Sequence, residues 1–304
     1  KGNDARNALL DLDRFARGRG VVSPDGVTAA LIEEWLRPMA VIPAVRHRKV
    51  RHAARFFDHL RTLGGVAANP VPAALLAGRQ RSNCIRPFIF TREQIAAILA
   101  AAGRLPDSAR FPHRARTCSA ALTLLCGLGL RHGEIRRLRV RDVDLGRQTL
   151  FIDRTKFHKS RYVPFGPRVG RCLEQFLALR RTTVTPVGDD DPVFVAQSRV
   201  PLSYGTLYKA FAEILGGLNI TAGDGRRPPR VHDLRHTFAV HRLLRWYREG
   251  ADVQGRLPAL SVFLGHVNVY STQVYLTATG DLLQAANDRF RRHAEPPAGG
   301  EARR

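Results

Sequence analysis

Three clusters, far apart along the chain, hold side chains able to bind phosphate or move protons. The first contains Gly127, Gly129, Arg131 and Glu134, the second His232, Asp233, Arg235 and His236, and the third Leu264, Gly265 and His266, with Tyr275 nine residues later. Guanidinium groups present paired donors to phosphate oxygens, and imidazoles exchange protons near neutrality. No cluster is distinctive alone. Gly127 and Gly129 follow a helical run rather than a strand and lack the further glycine and lysine of a phosphate-cradling loop. His232 and His236 have the four-residue spacing of a zinc-binding helix, but Asp233 stands where a metalloprotease needs Glu, so no metal site is expected. Lysine is rare: of 49 basic residues 44 are Arg and five are Lys, which makes Lys156 and Lys159 conspicuous.

The elements that must carry these residues can be read from periodicity. Ala44 to Leu63 reads as a helix whose Val50, Ala53, Ala54, Phe57 and Leu60 form an apolar face, while Arg46, Arg48, Arg51, Arg55 and Arg61 fall largely on other faces. Residues 78–87 are polar, basic and without period, as in a linker. Thr91 should cap a helix from Arg92, with Gln94 completing a capping box. Residues 104–116 read as a loop and Ser119 to Leu130 as a buried helix. Thr149 to Asp153 and Arg161 to Phe165 are β-rich and should form a hairpin whose turn holds Lys156, His158 and Lys159. Helices are expected at Arg168 to Arg181, Tyr204 to Leu215, from near His232, and at Gly280 to His293. Phe238, Leu243, Leu244 and Trp246 read as core positions of the helix from His232. Residues 295–304 read as a disordered tail.

Composition bounds the function class. The 304 residues carry a net charge of +23 and are 44% hydrophobic, enough apolar material for about two domains and too much for a wholly disordered chain. Such a surplus of cations attracts a polyanion, nucleic acid before membrane, since no run approaches the roughly 18 apolar residues of a bilayer span. Cys84, Cys118, Cys126 and Cys172 are scattered, which suits reduced thiols. The start has no apolar leader and the single Met is Met39, so a cytoplasmic protein with an upstream start is expected.

Taken in order, Arg131, Lys156, His232, Arg235, His266 and Tyr275 resemble the signature of the tyrosine recombinase, or phage integrase, family. The segment around Arg131 and Glu134 is similar to its first arginine box, His232 to His236 to its second, and Leu264 to His266 with Tyr275 to its nucleophile box. Thr155 to Pro164 resembles the family's lysine hairpin, with Lys156 in the catalytic place. His47 to Ala77, ending in Ala68, Asn69 and Pro70, resembles the close of its core-binding domain. The stretch after Tyr275, with Leu282, Leu283 and Ala286, is similar to recombinases of transposable elements.

The resemblance implies a mainly α fold with a small β-sheet or hairpin, arranged as a two-domain, C-shaped DNA clamp. Its parts would be a helical, SAM-like core-binding domain over 1–77, the linker at 78–87, an α+β catalytic domain over 88–294 and the tail. It implies DNA cleavage and rejoining through a 3′-phosphotyrosyl intermediate, with no metal, ATP or other cofactor. Tyr275 would be the nucleophile, His232 the base, Arg131 and Arg235 the phosphate clamp, His266 a further donor and Lys156 the acid for the leaving oxygen. Tyr270, four residues after His266, is the rival nucleophile at the wrong spacing. Glu134, Asp233 and His236 would orient the catalytic groups, while Arg46, Arg48, Arg51, Arg55, Lys159 and Arg161 would contact DNA. Expected partners are a double-stranded recombination site, further copies of the chain in a tetrameric synapse (monomer or weak oligomer when free), and accessory or sister recombinases, in the nucleoid of a prokaryotic host. Two alternatives remain at this point: a recombinase-like DNA-binding protein that needs partners to cut, and a type IB topoisomerase.

Overall fold

The structure is a computed structural model that describes residues 2–39, 43–77, 87–109, 111–153, 160–183, 187–197, 200–222, 227–266, 268–277 and 280–294. Most of the expected linker (78–86), the hairpin turn with Lys156, His158 and Lys159, and the tail at 295–304 lie outside the described residues. The chain divides into two compact units, Lys1–Ile85 and Arg86–Arg304.

The first unit is helical: α1 (Gly2–Arg17), α2 (Ala29–Leu36), α3 (Pro43–Thr62) and the short α4 (Ala73–Ala77). The Thr28 hydroxyl accepts from the Leu31 N–H and starts α2. Along α3 the residues Val50, Ala53, Ala54 and Phe57 recur at three- and four-residue steps and are all buried, against Leu12 of α1 and Ile32, Trp35 and Leu36 of α2. Arg51 and Arg55 are exposed, Arg46 is half-buried, and Arg48 pairs with Asp4 at 3.2 Å. The Asn69 amide donates to the Ala54 carbonyl at 3.0 Å and to Asp58 at 2.9 Å, and its oxygen accepts from the Val71 N–H at 3.0 Å. The Asn-Pro turn is thereby tied to α3.

The second unit opens with α5 (Arg92–Ala102), whose capping box between Thr91 and Gln94 forms as expected. Next come α6 (Arg114–Leu128) and α7 (His132–Arg137), then strands β1 (Val143–Asp144), β2 (Thr149–Ile152) and β3 (Arg161–Pro164). These three strands form an antiparallel sheet in chain order, with Leu150 opposite Val163 and Ile152 opposite Arg161. Leu150, Ile152 and Val163 face the core. The remainder is α8 (Pro167–Thr183), a two-stranded sheet of β4 (Val195–Gln197) and β5 (Val200–Pro201), and helices α9 (Tyr204–Gly217), α10 (Val231–Arg248), α11 (Val253–Leu264), α12 (Tyr270–Gln273) and α13 (Gly280–Ala294). Helix α6 starts five residues earlier than its apolar run suggested, because Arg114 and its neighbours supply a polar first turn that periodicity does not count. Strands β1, β4 and β5 are only two or three residues long, too short to show an alternating pattern.

Phe238, Leu243 and Leu244 of α10 are buried with Leu257, Leu260 and Leu264 of α11, Leu282 of α13 and Tyr275, and Trp246 packs at the edge of this cluster. A second, larger cluster lies around α6 and the three-stranded sheet. On α13, Leu282 is fully buried whereas Leu283 and Phe290 are exposed.

Candidate active site

Two glycine-terminated helices set the geometry. Helix α6 ends at Gly129 (φ 60°) and α11 at Gly265 (φ 68°), both in the left-handed region where glycine carries no Cβ penalty. Close packing adds a second reason. A Cβ on Gly129 would lie 2.6 Å from the Phe238 ring of α10, and one on Gly265 would lie 2.7 Å from the Arg161 guanidinium. Both peptide carbonyls are turned towards arginines.

The last carbonyls of an α-helix have no partner within it and form the negative end of its dipole. In α11 they hold three arginines from three other parts of the unit. Arg161 Nε donates to the Phe263 carbonyl at 2.8 Å, Arg235 to the Leu264 carbonyl at 2.6 Å, and Arg131 to the Leu264 and Gly265 carbonyls at 3.3 and 2.8 Å. Arg235 also donates to the Gly129 carbonyl at 2.7 Å. Its side chain is almost wholly buried; burial and then the neighbouring Arg131 push its pKa down to about 10, so it stays charged at neutral pH.

Glu134 is the buried anion among these cations. It receives the Arg131 backbone N–H at 2.9 Å, one Arg131 guanidinium nitrogen at 2.9 Å, and two from Arg161 at 3.0 Å each. Burial works to raise its pKa, but Arg161 and then Arg131 outweigh it and hold the carboxyl below its ordinary value.

Tyr275 lies in a 3₁₀ turn (Val274–Thr277) after α12 and is only 4% exposed. Its hydroxyl is 3.0 Å from His236 Nδ1, and its ring stacks beside His266 at 6.1 Å between centroids. His232 meets His236 edge to face at 4.8 Å, and His266 Nδ1 is 2.7 Å from the Thr272 hydroxyl. Burial raises the Tyr275 pKa, and the opposing pull of Arg235 and Arg131 does not reverse it, so the resting phenol is protonated.

All three imidazoles are held neutral. Loss of hydration, followed by the nearby cationic groups, lowers His232 and His236 to about 4 and His266 to about 3. Their ordinary value is 6.5, so between these limits the unfolded chain binds more protons than the folded one. Stability is therefore complete above about pH 6.5 and falls as the pH drops through about 4. The melting temperature, followed by circular dichroism, should decline across this window, and less steeply in His236→Gln. A melting temperature flat from pH 6.5 to 4 would contradict the arrangement.

The structure thus gathers Arg131, His232, Arg235, His236, His266 and Tyr275 in one place. Lys156 and Lys159 lie outside the described residues. Three placements differ from expectation. The Arg161 side chain, expected on DNA, is 8% exposed and committed to Glu134 and the Phe263 carbonyl. Asp233 accepts from the Arg230 N–H at 2.7 Å and from its guanidinium at 3.4 Å, so it caps α10 and pairs with an arginine outside the catalytic set. His236, not His232, touches the tyrosine hydroxyl, because His236 lies one helical turn further along α10, over the turn that carries Tyr275. Tyr270 is 76% exposed. Thr272, fully buried against His266, was missed; its spacing gives no signal, since a contact six residues away depends on how α12 folds back.

Residues 89–280 match the phage integrase family. The chain is 32% identical over 297 residues to an integrase/recombinase of Sinorhizobium fredii, y4rB, covering 97% of this chain and 93% of that one. It is 35% identical over 181 residues to the tyrosine recombinase XerC of a Methylobacterium species, covering 60% of this chain and 50% of the relative. Among solved structures, the XerH site-specific recombinase in its post-cleavage complex with palindromic difH substrate has a similar fold. It gives a TM-score of 0.65 at 18% identity, with 95% of this chain and 79% of that one covered. These matches do not favour the binding-only or topoisomerase alternatives. With both arginine boxes, the histidines and the tyrosine converging in the region matched, the chain belongs to the phage integrase family and is a tyrosine site-specific recombinase, an enzyme of DNA cleavage and rejoining.

Proposed function

We propose that Tyr275 is the nucleophile of this recombinase and that Arg131, Arg235, His266 and the His232–His236 pair act directly on the reacting phosphodiester or on the phenol. The observation that carries this reading is the buried Tyr275 hydroxyl 3.0 Å from His236, beside the Arg235 guanidinium, while Tyr270 points into solvent. The Tyr275 oxygen attacks phosphorus, the bond to the 5′-oxygen breaks, and a 3′-phosphotyrosyl ester and a 5′-hydroxyl result. The phenolic proton passes to the histidine pair, through the His236 member that touches it. Neutral imidazoles suit this step, because only an unprotonated nitrogen can accept. Arg131 and Arg235 neutralise the charge that grows on the non-bridging oxygens, with a further hydrogen bond from His266. Lys156 protonates the 5′-oxygen; this role rests on resemblance. Rejoining is the same displacement in reverse, with a second 5′-hydroxyl as attacker.

The substrate is a duplex recombination site. The first unit's Arg51 and Arg55 are exposed for phosphate contact with it. The boundary near residues 78–87 serves as the linker. Leu283 and Phe290, uncovered on α13, support docking on a neighbouring protomer in a tetrameric synapse. Accessory or sister recombinases would direct the outcome, in the nucleoid of a prokaryotic cell. Among the described residues no helix is long and apolar enough to cross a membrane.

The test is to select a bound site from random duplex DNA, footprint it, and present it as a nicked suicide duplex from which the fragment bearing the 5′-hydroxyl diffuses away. A protein–DNA adduct that survives denaturing electrophoresis is expected, with the footprint centred on the linked nucleotide. Footprinting without any adduct would overturn the reading.

A further inference from the structure

Arg161 is a buried cation of the site that the proposed chemistry leaves without a task. It stands at the start of β3 and is buried, with each of its three guanidinium nitrogens donating one hydrogen bond. Nε donates to the Phe263 carbonyl, and the two terminal nitrogens donate to the two oxygens of Glu134, each at 3.0 Å. This is a two-pronged arginine–carboxylate pair, the geometry that binds a carboxylate most firmly. Arg131 shares the same carboxylate through one guanidinium nitrogen and its backbone N–H, and its remaining guanidinium contacts are to the carbonyls of Leu264 and Gly265. Its side chain is 25% exposed against 1% for Glu134. With five N–H donors on a guanidinium, each of the two arginines keeps two hydrogens uncommitted among the described contacts, and those of Arg131, its Nε–H among them, belong to the more exposed side chain.

We propose that Arg161 is a positioning residue whose role is to satisfy Glu134, so that Arg131 stays a net cation able to receive the scissile phosphate. This inference rests on the phosphate-binding role given to Arg131 above. One carboxylate faced by two guanidiniums leaves one positive charge over. Without Arg161 the buried carboxylate has a single partner, closes on Arg131, and the site loses both that charge and the free donors. The packing supports a dedicated place for Arg161: a Cβ on Gly265 would lie 2.7 Å from one of its terminal nitrogens, so glycine at the end of α11 makes the room it occupies. A cation able to fill it must also be planar and forked, which excludes lysine as an equivalent.

The test is single-turnover adduct formation on the selected suicide duplex at saturating protein, comparing wild type, Arg161→Gln and Arg161→Gln/Glu134→Gln, with Tyr275→Phe in parallel. Loss of one phosphate donor costs on the order of 10²-fold or more in the chemical step, so Arg161→Gln is expected to lose at least about 100-fold. Removing the carboxylate as well should release Arg131 and return the rate to within about 10-fold of wild type. A purely structural bolt between β3, α7 and α11 would behave in the opposite way, since the double variant lacks the bolt too. A double variant slower than about one-tenth of wild type overturns the proposal, as does a single variant that loses less than about 10-fold. If Arg161→Gln does not fold, the double variant, which removes the buried carboxylate together with its forked partner, decides alone by that same threshold. Adduct persisting in Tyr275→Phe would instead remove the catalytic reading on which the proposal stands.

Discussion

Tyr275→Phe is expected to bind its site normally and to form no covalent adduct, a loss of at least about 10⁴-fold by comparison with other enzymes stripped of their nucleophile. The ring stays in its apolar setting among the residues of α10, α11 and α13, so the fold should lose little more than the hydrogen bond to His236, about 1 kcal/mol. Tyr270→Phe is the paired control and should cleave like wild type, because an exposed phenol at the start of α12 makes no contact with the site's arginines. Gel mobility shift at matched salt separates binding from chemistry. An adduct retained in Tyr275→Phe and lost in Tyr270→Phe would exchange the two roles.

Arg235→Lys should be almost as damaging to cleavage and, unlike the tyrosine change, also damaging to the fold. The guanidinium spans two carbonyls, Gly129 at the end of α6 and Leu264 at the end of α11, and is 1% exposed. A lysine keeps the charge but has one nitrogen and cannot reach both carbonyls with a flat fork. A buried carbonyl left without a donor costs about 1–3 kcal/mol. Melting should therefore drop by several degrees in a unit of this size. Cleavage in a single turnover should fall by about 10²- to 10³-fold, the usual cost of one lost transition-state donor. A variant that melts like wild type yet cannot cleave would mean that the carbonyl contacts are dispensable and the phosphate contact is the whole role. One that cleaves normally would remove Arg235 from the chemistry.

Local signals make part of this protein legible from its amino acids. The apolar face of α3, the capping box of α5 and the β2–β3 hairpin follow from three- and four-residue steps, a Thr–Gln pair and β-branched runs. The convergence of Arg131, Arg235, His266 and Tyr275 follows from the resemblance of separate motifs in order. Other features are illegible for a common reason. Arg161 looks like any basic residue beside a lysine-bearing turn, and nothing near it in sequence shows that Glu134, 27 positions earlier, is its partner. The adjacent choice between His232 and His236 depends on how α10 is rotated against the turn holding Tyr275.

By itself the sequence determined the family, the net positive charge that suits a polyanion, and the set of side chains from which a phosphoryl-transfer site can be built. Tertiary structure alone decided which of two cations is buried on the carboxylate and which stays partly exposed. Arg131 and Arg161 are chemically identical, and their fates diverge because the end of α11 and the Glu134 carboxylate approach them differently: Arg161 forks onto both carboxylate oxygens and is 8% exposed, whereas Arg131 gives the carboxylate one guanidinium nitrogen and stays 25% exposed. Hydrogen-bond capacity is filled by neighbours in space, and those neighbours come from segments that a local reading of the chain cannot bring together.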